Sequence, residues 1–316
     1  MAEASVASSL HALAVRDIRD GLHHEGRRGW EFIELASLGN NRVRSYLIAL
    51  LRILLYPVGL GVIVGVVVGV QNALAHRPFS GIGPVGGVIL QFGTIIMIGI
   101  AVLRTVARTH RRPWLSLITP DRHLDWGRLG IGLGVELALK VVLLLVILTL
   151  TGKRFGPVSA GELTTIGLAL LLVPFQAASE EILFRGYLTQ SLGRFVPSRC
   201  VIAAIIGLLF GLLHLNTYGP LTVPYFFVLS LLYSLVSLRD GRLELVIGAH
   251  TGMNLFAIGI GHAISTGTGG AAGHGEVHAA VFKDWRVVAA LIIHSVLFYG
   301  LSRLLVRFFY DRPRVA

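Results

Sequence analysis

The chain has 316 residues, 54% of them hydrophobic and 14% charged, with a mean hydropathy of +0.73. Soluble globular proteins carry about 25% charged residues, so this composition excludes an ordinary soluble domain and defines an integral membrane protein. The net charge of +11 does not indicate a nucleic-acid partner. The arginines lie mostly in short loops between apolar runs, where the positive-inside rule puts them, and no segment offers a soluble basic surface with interleaved aromatics. Cys200 is the only cysteine, which excludes an intrachain disulfide and a cysteine metal cluster; it reads as a small packing residue of a helix.

Residues 1–45 are mixed in charge and have no apolar core near their start. They read as a cytosolic head without a cleaved secretory signal, with an interfacial helix around Trp30 to Leu38. The first apolar run, Tyr46 to Val70, is interrupted by Arg52, whose stem can snorkel. Its Gly59, Gly61, Gly65 and Gly69 include spacings of four, which predict close packing between helices in lipid. They do not form a phosphate loop, because no strand precedes them and no lysine follows. A loop with Arg77 leads to the second run, Val85 to Leu103, and then to the most basic loop, with Arg104, Arg108, Arg111, Arg112, Arg122 and Arg128. The third run, Leu129 to Leu150, places Glu136 and Lys140 at the spacing of a helical ion pair. That pair is either structural or a contact lining a cavity.

The fourth run starts near Leu163, passes Pro174, which predicts a kink or a freed carbonyl, and ends in Ser179-Glu180-Glu181-Ile182-Leu183-Phe184-Arg185-Gly186-Tyr187. Ionisable groups here cost roughly 2.5–3.5 kcal/mol each on insertion scales and mark function. Glu181 and Arg185 are four apart and share a helix face, so they can pair. Glu180 is turned about 100° away and is left free. The fifth run, Cys200 to Leu215, holds Phe210 and His214, and an uncharged turn with Asn216, Thr217 and Tyr218 follows. The sixth, Leu221 to Leu238, ends in the polar turn Arg239-Asp240-Gly241-Arg242. The seventh, Leu243 to Ile260, holds His250 and Asn254 one helical turn apart. A Gly/His-rich loop, Gly261 to His278, contains His262, His274 and His278, read as loop residues. The eighth run, Trp285 to Phe309, carries His294 as a helix contact, and Arg312 and Arg314 lie in the tail.

Basic and charge-poor loops alternate along the chain. The expected fold is therefore an all-α, polytopic membrane helical bundle of about eight transmembrane helices of about 20 residues, with both termini cytosolic. Its parts are a head (1–45), N-terminal transmembrane helices (46–162), a core (163–262), and a loop, last helix and basic tail (263–316). By these boundaries His214 is offset along the membrane normal from Glu180 and His250 by on the order of 10 Å. Tilt, the Pro174 kink or a helix continuing past Arg185 would close that gap.

Glu180, Glu181, His214, His250 and Asn254 come from three helices and are chemically suited to one cavity. A buried glutamate beside neutral imidazoles can take a proton from water, and an imidazole with an amide N–H can hold an oxyanion. Interhelical hydrogen bonding is the alternative reading of each residue taken singly. The motifs Glu180-Glu181-x-x-x-Arg185, Phe210-x-x-x-His214 and His250-x-x-x-Asn254 resemble, in order and spacing, those of the CAAX-processing and bacteriocin-processing (Abi) intramembrane proteases, over about Leu163 to Ile260.

The resemblance implies a conical cavity open to the cytosol. In it Glu180 would activate water with help from His214, and His250 and Asn254 would stabilise the oxyanion. Glu181 and Arg185 would hold the site, and Phe210 would form its wall. Glu180, His214 and His250 are of types that ligate zinc, but the resemblance implies a glutamate-type protease with no obligate cofactor or metal. The expected partners are the lipid bilayer and a peptide or lipidated-protein substrate, and the expected location is a cell membrane. A catalytically silent scaffold or immunity protein of the same fold, and a proton-coupled transporter, are the alternatives. The transporter would require paired internal repeats, which the sequence does not show.

Overall fold

The structure, a computed structural model, describes residues 30–74, 83–151, 157–215, 219–266 and 285–310. Most of the head, His274, His278, the Arg77 and Lys153-Arg154 loops, the Asn216 to Tyr218 turn, and Arg312 and Arg314 lie outside the described residues, as does the side chain of His262. Every regular element among the described residues is helical. A short helix α1 (Glu31–Glu34) runs into a 3-10 turn (Leu35–Leu38), so the stretch expected to be helical near Trp30 is helical. Then follow α2 (Val43–Leu74), α3 (Gly83–Thr105) with a π turn (Val106–His110), and a 3-10 turn at Trp114–Leu117. The chain continues through α4 (Trp126–Thr151), α5 (Ala160–Glu181), a π-helical segment (Ile182–Leu188) and α6 (Thr189–Leu192). The last helices are α7 (Arg199–Leu213), α8 (Thr222–Asp240), α9 (Glu244–Thr266) and α10 (Trp285–Phe309).

Among the described residues, six helices are long and apolar enough to cross a bilayer: Val43–Leu74, Gly83–His110, Trp126–Val146, Ala160–Leu192, Thr222–Asp240 and Trp285–Phe309. This is a multi-pass membrane protein. The two other apolar runs of the sequence correspond to α7, a 15-residue helix, and to α9. In the bundle α9 packs between α4 and α5, α8 packs against α7 and α10, and α3 joins α2 to α5. No residue in the apolar stretch of α2 is fully buried by the rest of the protein, as expected of a helix with much of its apolar surface in lipid.

Close packing uses other glycines than the spacing predicts. A Cβ on Gly59, Gly61, Gly65 or Gly69 would meet no atom within 4 Å. A Cβ on Gly132 would instead lie 1.9 Å from the Leu245 carbonyl oxygen, and one on Gly248 would lie 2.0 Å from that of Leu129. The α4–α9 contact is thus backbone against backbone, and it holds α9 in the core. Cys200, in the first turn of α7, is exposed rather than packed.

The fourth run does not stop at the glutamates. The helix continues through the π segment to Leu192, so Glu180 lies in its interior. Glu180 is 12 residues from Leu192, and His214 is 15 residues from Arg199. At 1.5 Å per residue these are about 18 and 22 Å, so the continuing helix closes the expected offset. Pro174 stays within α5, and the departure from α geometry falls after it, at Ile182.

Charges at one end of the bundle tie its loops together. Arg242, beyond the left-handed Gly241 (φ 72°) that ends α8, pairs with Asp121, with Asp125 at 3.6 Å and with Glu244 at 3.9 Å. Arg128 pairs with Asp240 and with Asp125 at 3.3 Å, and lies over the Tyr310 ring at 4.1 Å. Burial alone would raise the carboxyl of Asp125. The Arg128 backbone N–H, the Tyr310 hydroxyl and the two guanidiniums outweigh it and hold Asp125 below the usual carboxylate range. Arg112 donates to the Leu35 carbonyl at 2.7 Å and anchors the α1 segment; burial lowers its guanidinium to about 10.

Candidate active site

The two adjacent glutamates have separate surroundings. Glu181 is fully buried and accepts from Arg185 Nη1 at 2.9 Å, the pair expected from the spacing. It also meets His250 Nδ1 at 2.7 Å. A carboxylate can only accept, so this bond puts a proton on Nδ1 and leaves Nε2 for other partners. His250 Nε2 lies 3.6 Å from Glu180 Oε2. The Glu180 side chain retains 14% exposure against 0% for Glu181, so Glu180 is the one of the two carboxylates that is not sealed off.

A residue not singled out in the sequence completes the arrangement. Gln176 Nε2 donates to Glu180 Oε1 at 2.5 Å, and Asn254 Nδ2 donates to Gln176 Oε1 at 2.8 Å. Gln176 therefore joins the Glu180 carboxylate of α5 to the Asn254 amide of α9. Its signal was present: an amide one helical turn before Glu180 in an otherwise apolar stretch.

His214, at the end of α7, gives Nδ1 to the Phe210 carbonyl at 2.7 Å. A carbonyl accepts, so in the neutral imidazole the lone pair is on Nε2. The ring is stacked on Phe226 at 3.9 Å and lies 4.6 Å from Phe210. Glu180, His250 and Arg185 all act on it electrostatically. Phe210 is the joint of the cluster: its ring also sits 6.2 Å from His250 and beneath Arg185 at 4.8 Å. The structure thus brings together all seven residues singled out in the three motifs.

The close fit of α5 depends on two small residues. A Cβ on Gly99 of α3 would lie 2.3 Å from Ser179 Oγ, and one on Gly186 would lie 2.8 Å from the Leu117 carbonyl oxygen. Behind the site, Glu136 and Lys140 form the expected pair at 3.7 Å, and His294 of α10 joins it with Nε2 3.4 Å from Glu136 Oε1. Glu136 is fully buried and packs against the backbone at Gly252, so the pair ties α4 to α9 and α10 and does not line an open cavity. Glu180, His214 and His250 have zinc-ligating chemistry, but among the described residues no three such side chains gather into a metal-holding group.

Residues 162–256 match the family model described as Type II CAAX prenyl endopeptidase Rce1-like. That span contains all three motifs and bears out the resemblance read from them. Fold and match together define a multi-pass membrane protein that is similar, over residues 162–256, to the Rce1-like type II CAAX prenyl endopeptidases. The chain is also similar to an uncharacterized protein, YyaK, of Bacillus subtilis (strain 168), with 27% identity over 154 residues. The alignment covers 46% of this chain and 52% of that relative, so the chain spans about half the length of the curated relative it matches.

Proposed function

We propose that the protein is an intramembrane endopeptidase of a cell membrane. It hydrolyses a peptide bond in a membrane-associated or lipidated peptide that reaches the site from the cytosolic side. The observation that carries this reading is the partly exposed Glu180 carboxylate, held by Gln176 and facing His250 Nε2 while its neighbour Glu181 is sealed in an ion pair.

Glu180 takes a proton from water, and the resulting hydroxide attacks the carbonyl carbon of the scissile amide. His214 orients the water through Nε2, its Nδ1–H being committed to Phe210. Negative charge then collects on the carbonyl oxygen. Asn254 meets it with its second amide hydrogen, the first being used by Gln176. His250 donates from Nε2 in its imidazolium form, with Glu181 fixing the ring at Nδ1. Such donors, placed in advance, stabilise an oxyanion by about 3–4 kcal/mol each in acyl-transfer enzymes. The intermediate collapses as Glu180 passes its proton to the leaving nitrogen.

The test is cleavage of membrane-anchored fluorogenic peptides by the purified full chain in bilayers, with the cut amide located by mass spectrometry. Cleavage at one bond that disappears in His214→Ala supports the reading. A panel of lipidated and unlipidated peptides bound but never cut would point to a scaffold of the same fold.

A further inference from the structure

A cavity of about 270 Å³ opens where α3 passes into its π turn, lined by Leu103, Arg104, Ala107, Arg108 and Trp114. Its walls are of two kinds. Leu103, Ala107 and the Trp114 indole form an apolar side. Arg104 and Arg108, four residues apart, both line the same opening. Both arginines and Trp114 are exposed, Trp114 by 44%.

The other arginines of this region contrast with these two. Arg52 donates to Thr109 Oγ1 at 2.8 Å, and Arg112 is buried on the Leu35 carbonyl. Arg128 and Arg242 are held by carboxylates. Neither Arg104 nor Arg108 has an ion pair with any described residue. Two adjacent like charges without a counter-ion repel each other, and an anion between them removes that cost. The cavity sits at the end of a membrane-crossing helix, next to the most basic loop of the chain. By the positive-inside rule this is the cytosolic interface, where tryptophan prefers the headgroup level and anionic lipid is concentrated.

We propose that this cavity binds the phosphate headgroup of an anionic phospholipid. The phosphate oxygens lie between the Arg104 and Arg108 guanidiniums, and the glycerol and upper acyl chain lie along Leu103, Ala107 and Trp114. The occupant is amphiphilic because the lining is: a soluble anion would leave the apolar wall uncovered. The proposal is independent of the protease reading. Guanidiniums are suited to the role because their planar fork bonds phosphate oxygens in pairs.

The experiment uses the full chain reconstituted in phosphatidylcholine vesicles containing acyl-brominated phosphatidylglycerol or, at equal mole fraction, acyl-brominated phosphatidylcholine. Tryptophan quenching is measured, with Trp114→Phe identifying the share due to Trp114. The expected result is quenching of Trp114 at several-fold lower mole fraction of phosphatidylglycerol than of phosphatidylcholine. Arg104→Gln/Arg108→Gln should remove most of that preference at low salt, each guanidinium being worth up to about fivefold. Arg104→Lys/Arg108→Lys should retain most of it and controls for folding. Equal quenching by the two lipids, or an unchanged preference in the glutamine variant, overturns the proposal. Abolition of the preference by millimolar inorganic phosphate would identify a small-anion site and also overturn it.

Discussion

Arg185 is the largest fully buried side chain among the described residues, and its removal tests the argument about the paired glutamates. Its guanidinium makes one hydrogen bond, Nη1 to Glu181 at 2.9 Å, and lies over the rings of Phe210 and Tyr233 at 4.8 and 5.7 Å. Nε and Nη2 have no other described partner. Arg185→Met keeps the length and the apolar contacts of the side chain and leaves Glu181 as a buried carboxylate without its cation. Losing one partner of a buried pair costs about 3–5 kcal/mol. The lower end applies here, because His250 Nδ1–H still bonds Glu181. A loss of about 3 kcal/mol lowers the folded-to-unfolded ratio about 150-fold.

The double variant Glu181→Gln/Arg185→Met removes both charges and keeps an acceptor for His250. It should recover most of the loss, since neutral replacement of a buried pair is often close to cost-free. The assay is SDS-titrated unfolding in mixed micelles, followed by circular dichroism, for wild type, both single variants and the double. An Arg185→Met variant within about 0.5 kcal/mol of wild type, or a double variant less stable than that single, would refute the reasoning.

Three other outcomes are expected. Gln176→Ala should lower kcat about 10- to 100-fold on any cleaved peptide with little change in KM, because it releases both Glu180 and Asn254 and small misplacements carry penalties of that size; steady-state kinetics decides. Gly248→Ala should destabilise by about 3 kcal/mol or more, beyond ordinary overpacking, while Gly65→Ala changes stability by no more than about 0.5 kcal/mol; the same unfolding assay compares them. Asp125 has a depressed folded-state pKa, so its contribution is fully present above its unfolded value of about 3.9 and is lost as pH falls through the lower folded value. Asp125→Asn should therefore lower the melting temperature at pH 7, with the difference shrinking towards zero in strong acid; a difference constant across pH would contradict the network.

The motif residues were legible because polar groups are rare in apolar helices, so each interruption between Glu180 and Asn254 required a reason. The Glu181–Arg185 and Glu136–Lys140 pairs followed from helical spacing alone. Gln176 was missed because a neutral amide is inexpensive in a membrane helix and reads as ordinary interhelical bonding. The π segment at Ile182–Leu188 has no local signature; it depends on the approach of α3 and of the Leu117 backbone to Ser179 and Gly186. Glycine spacing in α2 indicated where helices can approach, but it cannot name a partner. The partner contacts fell to Gly132 and Gly248, whose neighbours are more than 100 residues away in sequence. Arg128 and Arg242 read as positive-inside charges because their partners Asp240 and Asp121 lie in other loops, more than 100 residues away in sequence.

The most direct test of the central claim compares wild type with Glu180→Gln on a fluorogenic peptide panel, with and without chelator, alongside thermal unfolding of both. Wild type should cleave with or without chelator. The variant should lose activity by about 10²–10⁴-fold and melt at the same temperature, since glutamine keeps a carbonyl oxygen for the Gln176 bond. Loss of wild-type activity in chelator with rescue by zinc would move Glu180, His214 and His250 into a metal site. Equal cleavage by the two proteins would contradict the assignment of Glu180 as the base.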